Sequence, residues 1–183
     1  VNRKSLKLMP TVTLGGSIGG EIEGVEVPNN QIWYTASEKV EPYNLRGINQ
    51  ELVIESHTYD PTTQKGVITF TGRIEEIPDD FFFGKSAVTS VSLPNIFIIG
   101  ARAFEGCHLT SLTVPKTVCM IGADAFRSTS LREINILSEQ LVDHATQDAF
   151  NTAVLEKITG PLASADGRFL INKGMLVTTA LSG

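Results

Sequence analysis

The sequence has little cysteine, no concentration of positive charge and no long apolar run, and each shortage removes a class of function. Cysteine occurs twice, at Cys107 and Cys119. Two are too few for a disulfide framework and lack metal-ligand spacing, and a bond between them needs a turn that brings their Cα atoms within about 7 Å. Fifteen Lys and Arg stand against 20 Asp and Glu, for a net charge of −5 and a pI near 5.2. No basic run is interleaved with aromatics, so neither nucleic acid nor an anionic membrane surface finds its electrostatic footprint here. No apolar stretch approaches the roughly 18 residues that cross a bilayer. The opening "VNRKSLKLMP" lacks the apolar core of a signal peptide, and a start at Val1 predicts that an N-terminal segment, with any signal peptide, has been removed. There is no Asn-x-Ser/Thr glycosylation site.

The chemistry-bearing motifs are missing too. "GKS" at 84–86 has the tail of a phosphate-binding loop, but Asp79 stands where that loop needs glycine. In "GGSIGG" at 15–20, Ser17 takes the place of the second glycine of a dinucleotide fingerprint. No Gly-x-Ser-x-Gly elbow is present. His57, His108 and His144 lie far apart, and Asp143 and Asp148 beside His144 are read as surface polar residues. No catalytic, cofactor-binding or metal-binding residue is assigned, and no cofactor is expected.

What is present is repetition. Ile77, Ile99 and Ile121 are 22 residues apart, and each is followed five positions later by a phenylalanine, Phe82, Phe104 and Phe126. A weaker copy carries Ala145 and Phe150. A second marker keeps step: "VTSVSL" at 88, "LTSLTV" at 109, "LREINI" at 131 and "LEKITG" at 155. Counting back, Ile68, Phe70 and Ile74 fall where Leu112, Val114 and Val118 sit. Alternation over Leu112-x-Val114, closed by Pro115, reads as a short strand with one buried face. One such unit cannot cover its own apolar side, whereas stacked units bury Leu, Ile and Phe in one core. The expectation is a β-rich solenoid with a parallel sheet on one face, turns or short helical turns on the return path, and strands centred on Ile68, Val91, Leu112, Ile134 and Ile158. At the usual strand spacing that sheet is about 20 Å across. Gly100 and Gly122 are expected to permit sharp turns, and the phenylalanines to plug the interior.

"IGARAFEGCHLTSLTVPKTVCMIGADAF" resembles the leucine-rich repeats of the BspA-like (Treponema pallidum type) family, whose units read roughly Ile-Gly-x-x-Ala-Phe-x-Gly-Cys-x-x-Leu-x-x-Val-x-Ile-Pro. The likeness covers about 67–160. Phe104, Gly106 and Cys107 fall in place, and Leu109, Leu112, Val114 and Pro115 follow with one residue fewer after the cysteine, whereas Ser128 and Thr129, and then Thr152 and Ala153, replace the Gly-Cys pair in later copies. The resemblance implies a secreted or surface-exposed bacterial protein, with its signal peptide removed, that binds other macromolecules and catalyses nothing. It also implies that Cys107 is an inert core thiol.

The domain reading is a flexible lead-in at 1–28, a β-hairpin N-terminal cap at 29–66, four to five repeat units at 67–160, and a C-terminal hairpin cap at 161–183 around Asn172, Lys173 and Gly174. Trp33 and Tyr34 either close the end of the core or form an exposed pair. The outward face of the strands carries two ladders: Thr69, Ser92, Thr113, Asn135 and Thr159, and beside them Val67, Ser90, Ser111, Glu133 and Lys157. Thr and Ser suit an exposed pleat by propensity alone, and such a face also suits docking of a protein or glycan. The candidate binding face is Ser90, Ser92, Ser111, Thr113, Glu133, Asn135, Lys157 and Thr159. The function expected is adhesion-type binding through that face, with a structural spacer or stalk as the alternative.

Overall fold

The computed structural model describes residues 26–48, 50–141, 149–150, 155–172 and 175–179, with side chains described as far as Arg168. Residues 1–25 of the lead-in assigned to 1–28, Ala145, the group His144, Asp143 and Asp148, the pair Thr152 and Ala153, and Lys173 and Gly174 of the expected C-terminal turn therefore lie outside the described residues.

Strands carry the architecture, and no helix occurs among the described residues. The first strand, β1 (Gln31–Ala36), alternates strictly and buries Ile32, Tyr34 and Ala36. β2 (Ile54–Asp60) and β3 (Lys65–Phe70) form an antiparallel hairpin. Asp60 closes the turn at 61–64 by accepting from the Thr62 amide at 2.8 Å and from the Thr63 hydroxyl at 2.9 Å, the usual role of a turn aspartate. β4 (Glu76–Ile77), β6 (Ile98–Ile99) and β8 (Met120–Ile121) form one parallel ladder that stacks Ile77, Ile99 and Ile121 in register, all fully buried. β7 (Ser111–Val114), β9 (Glu133–Ile136) and β10 (Lys157–Thr159) form a second. β5 (Val88–Ser92) belongs to neither, and β11 (Phe169–Asn172) pairs with β12 (Met175–Thr179) as the C-terminal hairpin.

The single five-stranded parallel sheet expected from the repeat spacing is thus corrected. The strands at Ile68 and Val91 lie in a four-stranded antiparallel sheet of order β2-β3-β1-β5, with β1 inserted between them. Two causes are local. A turn of a few residues can join β2 to β3 only antiparallel, since a parallel connection needs a crossover of a dozen or more. β1 in turn presents backbone groups on both its edges, so it pairs with β3 and β5 at once. The result is a β-rich repeat fold with mixed sheets.

The return path stacks through backbone as well. Phe82, Phe104 and Phe126 donate their amides to Ala103, Ala125 and Ala149 of the following copy at 2.7–2.9 Å. Their rings run in one buried column: Phe104 lies 5.8 Å from Phe126 at an interplanar angle of 4°, and Phe126 lies 5.4 Å from Phe150. Left-handed backbone recurs at the repeat period, at Asp80, Arg102 and Asp124 and again at Gly84, Gly106 and Ser128. Gly100 and Gly122 are not among these positions, so the expectation that they permit sharp turns is corrected. A Cβ on Gly100 would meet the Asp79 amide nitrogen at 2.4 Å, and one on Gly122 the Ala101 amide nitrogen at 2.4 Å. These glycines let successive copies approach.

Candidate binding face

The outward ladders divide between two sheets. On the parallel sheet, Ser111, Glu133 and Lys157 align in one row and Thr113, Asn135 and Thr159 in the next. Between them Leu112, Ile134 and Ile158 point inward and are buried, as a period of two dictates. The six outward side chains, with Leu112 and Ile134 at the floor, line a shallow depression of about 180 Å³. Thr159 donates to the Asn135 side-chain oxygen at 3.1 Å, which fixes the amide within the depression. Glu133 and Lys157 are exposed, so the rim carries one charge of each sign.

Ser90 and Ser92 do not join that depression. They lie on β5, opposite Thr35 and Trp33 of β1. Thr69 and Val67 are a further strand away on β3, opposite Gln31 and Trp33. The five-rung ladders are therefore interrupted: β1 stands between the rungs of β3 and β5, and Trp33 occupies the gap between Val67 and Ser92.

Trp33 and Tyr34 part company. Tyr34 faces the core, where its hydroxyl bonds Nε2 of His57 at 2.8 Å and accepts from the Val40 amide at 3.2 Å. His57 bonds Glu41 through Nδ1 at 3.1 Å. Burial pushes the Tyr34 hydroxyl above its ordinary pKa, an effect opposed by the Val40 amide. The chain Glu41–His57–Tyr34 is a packing device, because the phenol is buried in the core. It was illegible in sequence, where His57 stands alone. Trp33 is half-buried on the opposite face, and its indole N–H donates to the Gln31 side-chain oxygen at 2.8 Å.

Cys107 is buried, and its thiol donates to the Phe82 carbonyl at 3.2 Å. Burial pushes its pKa up to about 12, the opposite of what a nucleophile requires. Both cysteines are free. Among the described residues no group of three or more His, Cys, Asp or Glu side chains is placed to hold a metal ion, and no helix is long and apolar enough to cross a membrane. What the outward faces offer chemically is hydrogen bonding, one charge of each sign at the rim of the depression, and one indole.

No curated protein and no solved structure matches this chain. Residues 53–165 match the BspA type leucine rich repeat region in six copies, a wider span than the 67–160 of the sequence resemblance. With stacked Ile and Phe columns, in-register parallel ladders and that match over more than half its length, the chain belongs to the BspA-type leucine-rich repeat family.

Proposed function

We propose that this protein is a non-catalytic, adhesion-type binding module that acts outside a bacterial cell, on its surface or after secretion, and contacts a protein or glycan of a host or of the cell envelope. In this reading the repeats at 67–160 wind as a solenoid, the segments at 29–66 and 161–183 cap it, and the outward strand face is the contact surface. The observation that carries the reading is the depression on β7, β9 and β10. Its six outward lining side chains are rungs that the core does not need, with paired hydrogen-bonding groups at the centre and opposite charges at the rim. Repeat folds present such regularly spaced faces to partners, and membership of a repeat family used for protein interaction agrees with it.

The test is a capture screen of the purified chain against extracellular-matrix proteins and glycans, followed by the double variant Thr113→Arg, Asn135→Arg. The variant is expected to keep stability within about 1 kcal/mol, as surface changes usually do, and to weaken capture by about tenfold or more, as a change at an interface centre does. Unchanged capture moves the site off this sheet. A chain that captures nothing is a spacer, its Ser and Thr rungs explained by strand propensity.

A further inference from the structure

We propose that the outward face of the antiparallel sheet around Trp33 binds a neutral, β-linked oligosaccharide, one pyranose ring stacking on the indole. This names a ligand class for the β5 end of the face proposed above and rests on that reading.

Three observations converge. First, the indole is held in place before any ligand arrives: its N–H donates to Gln31 at 2.8 Å, and the Gln31 amide donates to the Thr69 hydroxyl at 3.3 Å. Among the described residues no ring or cation covers it, although Tyr34 on the other face contacts three rings. Second, two positions along β1 the Thr35 hydroxyl bonds the Thr89 hydroxyl at 2.8 Å and the Ser90 hydroxyl at 2.7 Å. Each hydroxyl both donates and accepts, so the trio can turn to sugar hydroxyls. Two residues of strand span about 7 Å, which sets the trio beside a ring seated on Trp33. Third, the indole's own neighbours are uncharged. Val67 and Ser92 flank Trp33 directly and Thr58 lies beyond Val67, while Lys65, directly opposite Thr35, is itself faced by Asp60 on β2, so the charges beside the trio come as an opposed pair.

An indole with uncharged direct neighbours, beside hydroxyls, an amide and a lysine opposed by an aspartate, favours a neutral partner with both apolar and hydroxyl faces. A pyranose whose substituents are equatorial complements it, because its axial C–H faces are apolar and its rim is hydroxyl. β-linkage keeps successive rings extended, as a flat sheet face requires. Pre-orientation matters because a rigid aromatic loses little entropy on binding.

Trp33 is the sole tryptophan of the chain, so its emission reports the site directly. The full chain is titrated with cellohexaose, laminarihexaose and chitohexaose, with heparin as the anionic comparison, by tryptophan emission and by calorimetry. The expected result is a saturable emission change with at least one neutral hexasaccharide. By calorimetry, binding weakens about tenfold in Trp33→Ala and less in Trp33→Phe, in line with loss of an aromatic contact. Should Trp33→Ala not fold, Ser92→Arg serves instead: Ser92 is exposed and directly opposite Trp33, and the long side chain is expected to block the ring and abolish binding. The variant Thr113→Arg, Asn135→Arg leaves sugar binding unchanged, which separates this site from the depression. No saturable signal with any of the three sugars, tighter binding of heparin, or full affinity in Ser92→Arg overturns the proposal, even where capture through the depression persists.

Discussion

Gly84, Gly106 and Ser128 occupy one position in three successive copies, with φ of 67°, 74° and 54°. The backbone there is left-handed in all three, so glycine serves by freedom and Ser128 tolerates the same geometry. Gly100 and Gly122 serve by smallness, because backbone of the preceding copy stands where a Cβ would be. Substitution by alanine should separate the two roles. Gly84→Ala has open space around the new Cβ and is expected to cost about 1 kcal/mol from conformation alone. Gly122→Ala must push backbone apart and is expected to cost about 3 kcal/mol or more. Urea melts of the two variants give the comparison. The Cys107 thiol tests burial in another way. In the native protein Cys119, which is half-exposed, should react with a thiol reagent while Cys107 does not; both should react after unfolding. Because the folded pKa of Cys107 is raised from 9.0 to about 12, its thiol contribution is fully present below pH 9 and is lost as pH rises between those values, where only the unfolded thiol ionises. Stability measured across that window should therefore fall with pH.

At the scale of elements, the column of phenylalanines ties the copies together. Phe104 touches Phe82 on one side and Phe126 on the other, at 6.2 and 5.8 Å between ring centres. Phe104→Ala leaves a void bounded by both neighbours, and a loss of about 3–5 kcal/mol is expected in denaturant melts. A loss well below that would place the ring outside the column. The five-residue offset from Ile to Phe made this column readable in sequence, since residues at equal offsets in stacked copies must meet. Strand centres at Leu112, Ile134 and Ile158 were readable for the same reason. The division of the outward ladder at Ser92 was not readable, because nothing in "VTSVSL" differs in kind from "LTSLTV", yet one strand pairs antiparallel with β1 and the other parallel with β9.

The whole molecule depends on that insertion. β1 is the hydrogen-bonded link between β3 and β5, and Ile32 near its start is fully buried. Ile32→Ala is expected to cost about 2–5 kcal/mol and to speed amide exchange in β3 and β5 together, since elements joined through one strand open as a unit. Exchange that rose in β3 alone would show that β5 is held by the repeats instead. β1 also puts an indole into a face whose other groups are mainly hydroxyls and an amide, with Val67 and Lys65 on the neighbouring strand.

By itself the sequence determined the repeat, the buried Ile and Phe columns and the strand centres of the later copies, because all of these follow from side-chain type at fixed covalent spacing. Tertiary structure alone decided which strands pair, that Tyr34 turns inward to His57 while Trp33 turns out, that Gly100 and Gly122 are needed for space, and that six of the eight candidate residues share one depression while Ser90 and Ser92 join Trp33. The physical reason is that an unpaired strand edge accepts any partner with free backbone groups. Pairing is then settled by which distant segment the packed core brings alongside, and local periodicity carries no record of that choice.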